Sequence, residues 1–131
     1  MRWKETEYSG WGRVLKARGS LARPERISEL DAVISQGPAP AIGNLRSYGD
    51  APLNGDGRAI VMTRLDRFIA FDASTGVLEA EAGVTIAAII ATFVPKGWMP
   101  TVVPGTAEKT PCPSMAGNFC GQILFWPMAH V

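Results

Sequence analysis

The chain has 131 residues, enough for one domain with a modest hydrophobic core. Hydrophobic residues make up 47% of it and charged residues 19%, which is typical of a globular protein and excludes a disordered one. The formal net charge of +1 gives no electrostatic reason to expect nucleic acid or an anionic membrane as a partner.

Metal and membrane sites are not indicated by the sequence. Cys112, Cys120 and the single His130 lack the spacing of a zinc site. The charged N-terminus has no apolar region typical of a signal peptide, and the longest apolar run, 84–94, is too short to span a bilayer. We therefore expect no metal, no membrane span and a cytoplasmic location.

The first predicted elements are an edge strand at 13–17 and a helix that begins at Arg23-Pro-Glu-Arg26. Proline suits the first turn of a helix, and Glu25 would lie near its positive end. Apolar residues then recur at helical spacing, at Ile27, Leu30, Val33 and Ile34. The Gln-Gly-Pro-Ala-Pro run at 36–40 ends this helix.

Residues 43–50, Gly-Asn-Leu-Arg-Ser-Tyr-Gly-Asp, form the most informative segment, and a short apolar lead at 41–42 precedes them. The two glycines can take positive φ and let the backbone approach a ligand closely. Consecutive backbone N–H groups in such a turn suit phosphate oxygens, to which Arg46 could add charge and Ser47 a hydroxyl. The alternative is a surface turn with one solvated arginine.

A buried strand at 59–63 follows, and then a β-hairpin of strands 68–72 and 77–82 around the turn at 74–76. Side chains alternate between the two faces of the second strand, which predicts one solvent-exposed face and one packed face. The solvent-exposed face would carry Val77, Glu79 and Glu81, and the packed face Leu78, Ala80 and Ala82.

A second helix is predicted after Gly83, with Thr85 as its N-cap. Its apolar residues lie at i, i+3, i+4 and i+7 from Ile86, and Pro95 ends it. An extended segment at 97–106 follows, and no clear pattern is visible beyond it. The elements predict an α+β fold, with neither the regular alternation and glycine fingerprint of a Rossmann domain nor a Walker motif.

The segment 41–54 resembles the pyrophosphate-binding loop of FAD-linked oxidases of the vanillyl alcohol oxidase / p-cresol methylhydroxylase (PCMH) type. Within them it is most similar to the sugar-lactone oxidases and decaprenylphosphoryl-ribose oxidase. The resemblance extends through Glu81-Ala-Gly-Val-Thr85 and Val102-Val-Pro-Gly-Thr106, and Ser9-Gly-Trp-Gly-Arg13 is similar to the N-terminal lead of that group. It implies the N-terminal part of a PCMH-type FAD-binding domain, with a small mixed sheet and two main helices.

The resemblance implies FAD as cofactor, with backbone N–H groups of the loop around its diphosphate and two later segments along the flavin. The implied cofactor-binding residues are Ala41, Ile42, Gly43, Asn44, Leu45, Arg46, Ser47, Tyr48, Gly49, Asp50, Pro104, Gly105, Thr106, Ser114, Ala116 and Gly117. Tyr48 would pack or donate a hydrogen bond, and Asp50 would turn away from the phosphates. No catalytic residue can be named.

The chain departs from the family after Thr106. An ungapped alignment places Cys112 and Pro113 on two family glycines and Cys120 on a family histidine, whereas a gapped one places Ser114–Gly117 on the small-residue stretch. We prefer the gapped alignment, because proline would remove a backbone donor next to the flavin. Neither recovers the His-Gly-Lys-Asn-His motif of the family.

These observations predict a lead at 1–20, a first FAD-binding subdomain at 21–106 and a divergent tail at 107–131, without the second FAD subdomain or the substrate domain. The expected function is FAD binding within a flavin-dependent oxidoreductase that acts on an alcohol or sugar-type substrate, with this chain inactive alone. A missing C-terminal half or an oligomer partner would cover the exposed sheet edge. The alternatives are a non-enzymatic remnant and a small anion- or nucleotide-binding module.

Overall fold

The computed structural model describes residues 2–47 and 50–101, together with the backbone of 122–127. Its elements in chain order are β1 (Lys4–Ser9), β2 (Lys16–Ala22), α1 (Ile27–Ile34), β3 (Ala41–Ile42), β4 (Arg58–Val61), β5 (Phe68–Asp72), β6 (Val77–Ala80), α2 (Ile86–Phe93), a 3-10 turn (Val94–Lys96), β7 (Trp98–Pro100) and β8 (Gln122–Pro127).

The first sheet has the strand order β1-β2-β4-β3 and is mixed. β1 and β2 form an antiparallel hairpin, whereas β2, β4 and β3 are mutually parallel. The predicted edge strand at 13–17 is therefore wrong in position: the strand begins at Lys16 and lies inside the sheet, because β1 supplies the edge. The mixed sheet and the α+β class are confirmed.

Helix α1 begins at Ile27, four residues after the predicted start at Arg23. Arg26 still has extended backbone angles (φ −140°, ψ 152°), so the chain leaving β2 turns into the helix only after it. The Glu29 carboxylate accepts a hydrogen bond from the Glu25 N–H at 2.8 Å and lies in the positive first turn. Of the predicted apolar stripe, Val33 is fully buried, while the two ends of the helix remain largely exposed.

The second sheet is antiparallel throughout, with the order β5-β6-β8-β7. The predicted hairpin of β5 and β6 is confirmed, with an irregularity between Phe68 and Ala70. Strand β8 lies between β6 and β7, although the sequence of 122–127 showed no strand pattern. Both of its edges are paired, which makes it an interior strand of the sheet.

Helix α2 forms as predicted, and its apolar face packs on Leu78 and Ala80 of the second sheet. The Thr85 hydroxyl accepts a hydrogen bond from the Ala88 N–H at 3.1 Å, which satisfies one free donor of the first turn. The predicted apolar face is buried at Ile86, Ile89 and Phe93. Among the helices in the described part of the chain, none is long and apolar enough to cross a membrane.

The two sheets are joined where the β6–α2 turn docks on the β4–β5 connection. Glu81, predicted to face solvent, is only 1% exposed, and this expectation is wrong because β6 ends one residue earlier. Its carboxylate accepts hydrogen bonds from the backbone and the guanidinium of Arg67, at 2.9 and 2.6 Å. The hydrogen bonds from Arg67 hold the pKa of Glu81 below its ordinary value, against the opposing effect of burial.

Gly83 completes this junction. Its N–H donates to the Leu65 carbonyl at 2.7 Å, and a Cβ at this position would lie 2.2 Å from the Met62 carbonyl oxygen and 2.7 Å from that of Leu65. Only glycine allows the two backbones to approach this closely.

Candidate functional site

The candidate loop crosses one face of the first sheet. β3 and β4 are parallel neighbours, so the connection at 43–57 must return from the carboxyl end of β3 to the amino end of β4. Leu45 and Leu53 pack on the cluster of buried residues on this face, which includes Tyr8 and Val61. The loop is therefore held by its own apolar side chains while its polar groups remain near the surface.

The backbone of the loop is unusual at Leu45, which has a positive φ of 55°. The sequence offered Gly43 and Gly49 for such a conformation, but Gly43 does not take a positive φ, and Gly49 lies outside the described residues. A positive φ is a genuine outlier for a bulky residue and persists only where the surroundings enforce it. Left-handed residues also occur in the backbone concavities that bind anions.

A cavity of about 370 Å³ lies along the loop and β3. It is lined by Pro40, Ala41, Ile42, Gly43, Leu45, Ser47, Ala51, Pro52, Leu53 and Asn54. Five of the residues predicted to bind the cofactor are therefore brought together around one space. Asn44, Arg46 and Asp50 are described but do not line it, and Tyr48 lies outside the described residues.

Arg46 extends toward the tip of the β1–β2 hairpin. Its guanidinium carbon lies 4.3 Å from the ring centroid of Trp11, within the range of a cation–π interaction. The sequence analysis did not associate Trp11 with the loop. The family resemblance includes both segments and is the only feature of the sequence that links them. Because 35 residues separate Trp11 from Arg46, no local pattern can predict their contact.

The family model described as an FAD binding domain matches residues 21–122, more than half of the chain. The chain belongs to this family of FAD-binding domains. The family model covers residues up to 122, whereas the motifs that carry the resemblance end at Thr106. FAD is therefore the cofactor of this domain, within a family of FAD-linked oxidoreductases.

The relatives of this FAD-binding domain are longer proteins. Decaprenylphosphoryl-β-D-ribose oxidase of Mycolicibacterium smegmatis is 34% identical over 108 residues, which cover 77% of this chain and 23% of the relative. Cholesterol oxidase of Brevibacterium sterolicum is a structural neighbour with a TM-score of 0.73 at 13% identity, covering 92% of this chain and 25% of that one.

A second structural neighbour, alkyldihydroxyacetonephosphate synthase, has a TM-score of 0.62 at 13% identity, covering 76% of this chain and 20% of that one. At such identities the two solved structures show a shared fold alone. The chain spans about a quarter of the length of the proteins it matches.

The far end of the loop is fixed by Tyr8. The Asn54 N–H donates to the Tyr8 hydroxyl at 2.8 Å, and that hydroxyl donates to the Asn54 carbonyl at 3.3 Å. The Asn54 side-chain amide donates to the Arg58 carbonyl at 2.8 Å, closing the turn before β4. A Cβ on Gly57 would lie 2.5 Å from the Asn54 side chain, so a larger residue there would displace this side chain from its hydrogen bond.

The donors along the loop suit the diphosphate of FAD. Arg46 supplies a guanidinium and Ser47 a hydroxyl, both good phosphate donors. Among the described residues, the N–H groups of Gly43, Leu45 and Ser47 donate to no other backbone group. The cavity volume lies at the lower end of the range for small-ligand pockets, about 300–1,000 Å³, which fits one part of a dinucleotide and not the whole of it.

The remaining predicted residues lie outside this description. Pro104, Gly105, Thr106, Ser114, Ala116 and Gly117 fall within 102–121, which the structure does not describe. Their contact with the flavin stays a prediction, as do both alternative alignments of the tail. Asp50 is exposed, and its carbonyl accepts a hydrogen bond from the Leu53 N–H at 2.8 Å.

Proposed function

We propose that segment 41–50 binds the diphosphate of FAD, with Arg46, Ser47 and the loop N–H groups as donors. The observation that carries this proposal is the cavity beside the loop, which five of the predicted residues line together. The left-handed backbone at Leu45 and the donor chemistry of the loop support it.

Bound FAD supplies an acceptor for hydride from a substrate C–H bond. The described residues of this chain would bind and orient the cofactor and exclude water from its diphosphate. The apolar side chains of Leu45 and Leu53 hold the loop on the sheet, so its donors are in place before the ligand arrives.

We propose an alcohol or sugar-type substrate for the complete enzyme. The name of one relative supports this class, since the ribose of decaprenylphosphoryl-β-D-ribose carries hydroxyl groups. We also propose that the 131 residues alone do not turn over substrate, because they span about a quarter of the longer proteins that they match. Further chain or an oligomer partner would then supply the rest of the site.

Flavin content and flavin affinity test the proposal. We expect the purified 131-residue chain to carry little flavin, yet to bind added FAD in an isothermal titration. Arg46→Ala should raise the Kd for FAD about tenfold or more, because a hydrogen bond to a charged group contributes about 1.5–3 kcal/mol. Gly49→Val should also weaken binding, because a branched side chain would obstruct the approach to the diphosphate.

Two matched variants control for charge and for glycine replacement. Arg26→Ala removes an exposed arginine at the start of α1, and Gly55→Val alters a glycine with open space around its Cβ position. Both should leave the Kd unchanged. Equal Kd values for wild type, Arg46→Ala and Gly49→Val would remove the loop from the FAD site. Equal affinity for FAD, ADP and pyrophosphate would instead identify a general anion-binding module.

A further inference from the structure

The tip of the β1–β2 hairpin forms part of the surroundings of the candidate diphosphate loop. The hairpin closes through a turn in which the Arg13 N–H donates to the Gly10 carbonyl at 3.1 Å, and Trp11 lies within this turn. Loop and tip meet because the loop crosses the sheet toward the amino end of β4, the end at which the hairpin also turns.

The guanidinium of Arg46 lies over the ring of Trp11. The guanidinium carbon lies 4.3 Å from the ring centroid, and the Nε atom of Arg46 is buried. The tryptophan remains 52% exposed, so it is not a core residue. A large aromatic side chain on a hairpin tip that covers a cation of the loop indicates a role at the loop.

We propose that Trp11 is a positioning residue for Arg46, an inference that rests on the proposed function of the loop. Stacking uses the face of the planar guanidinium, whereas hydrogen bonds to phosphate use its N–H edge, so one side chain can make both contacts. The ring restricts a side chain that otherwise has many rotamers. Less conformational entropy is then lost when the diphosphate binds.

The stack should be separable from folding. The other end of the loop is fixed by Tyr8 and Asn54, and Leu45 and Leu53 hold its middle on the sheet. Trp11 supplies neither of these anchors. Removing its ring should therefore leave the fold intact and remove only the aromatic face over which the guanidinium of Arg46 lies.

The test is a double-mutant cycle on FAD binding to the 131-residue chain, measured by isothermal titration at low salt. Trp11→Leu should raise the Kd about two- to fivefold, the effect of an exposed cation–π interaction of about 0.5–1 kcal/mol. Trp11→Phe, which keeps an aromatic face, should restore most of the affinity. In the Arg46→Ala background, Trp11→Leu should have no further effect, because the group that it positions is gone.

Val14→Ser is the matched control, since Val14 lies in the same hairpin tip and is 87% exposed. Arg46→Lys is a second variant for the case that Trp11→Leu fails to fold. Arg46→Lys keeps the charge but loses the planar face, so it should lower the affinity for FAD. In the Arg46→Lys background, Trp11→Phe should not change the Kd for FAD further. The urea midpoint of each variant reports whether it folds.

The outcomes separate this proposal from the function on which it rests. Weakened binding in Arg46→Ala with unchanged binding in Trp11→Leu overturns the role of Trp11 and leaves the loop assignment standing. Additive effects in the cycle, or no restoration by Trp11→Phe, also overturn the role of Trp11. Unchanged binding in Arg46→Ala, or no titratable binding of FAD to the wild type at millimolar concentration, overturns the loop assignment and the role of Trp11 together.

Discussion

Replacing Gly83 with alanine tests how the two sheets are held together. The added Cβ would lie 2.2 Å from the Met62 carbonyl oxygen and 2.7 Å from that of Leu65, both backbone atoms that cannot rotate away. Van der Waals contact requires more than 3 Å, so the turn must withdraw by about 1 Å. Such a movement breaks the 2.7 Å hydrogen bond from the Gly83 N–H to the Leu65 carbonyl.

The expected cost follows from what this movement exposes. One buried backbone hydrogen bond lost without replacement costs about 1–3 kcal/mol. Met62 and Leu65, each 1% exposed, lose part of their packing as the turn withdraws, which costs about 1 kcal/mol more. The total of about 3 kcal/mol is a large share of the 5–15 kcal/mol typical of a domain. It should lower the Tm by about 10 °C in a chain of this size.

Thermal unfolding followed by circular dichroism measures this difference. Gly55→Ala is the matched control, because nothing lies within 4 Å of its Cβ position and it should leave the Tm nearly unchanged. A Tm for Gly83→Ala within about 2 °C of the wild type would refute the reasoning, since the two backbones would then not be in contact.

Three further predictions concern side chains that fix the framework. The lowered pKa of Glu81 means that its contribution to stability is present above the ordinary value near 4.5 and is lost as the pH falls through the lower folded value. Glu81→Gln should therefore reduce the free energy of unfolding by about 1–2 kcal/mol at pH 7 and flatten its decrease in acid. Urea titrations between pH 3 and 7 check this, and a parallel pH dependence in both proteins would contradict the pairing with Arg67. Thr85→Ala removes the N-cap of α2 and should cost about 1 kcal/mol, whereas Thr85→Ser should not. Equal urea midpoints for the alanine and serine variants would contradict the cap. Tyr8→Phe leaves the Asn54 N–H without its partner and should cost about 1–2 kcal/mol, with a loss of FAD affinity if the loop shifts. An unchanged urea midpoint would contradict the role of the Tyr8 hydroxyl in fixing the loop.

Local patterns predicted the second helix and the hairpin before it. Thr85 and the apolar residues after it lie within nine positions of one another, so cap and period can be read from a single stretch. The hairpin is equally local, since its turn signal lies between two strand-forming runs that are close in the sequence, at 68–72 and 77–82. The candidate loop could be located for the same reason, because its glycines, arginine and serine are contiguous.

Contacts between distant residues could not be predicted. Glu81 was predicted to face solvent because the alternation was extended beyond the end of β6. Its partner Arg67 lies 14 residues earlier in the sequence. The stacking of Trp11 on Arg46 depends on a hairpin tip and a loop from different parts of the chain. In both cases the three-dimensional neighbour, and not the local sequence, decides the environment.

The position of β8 has a consequence for the order in which the chain folds. β8 joins β6 to β7, so the sheet beneath α2 has no continuous hydrogen-bonded core until residues 122–127 are available. During synthesis, the first sheet can assemble from the leading 61 residues, whereas the β5–β6 hairpin must wait for a strand more than 40 residues later. Because isolated hairpins are only marginally stable, the second sheet should complete its structure after the first sheet during synthesis. Until then its apolar residues should remain accessible to chaperones.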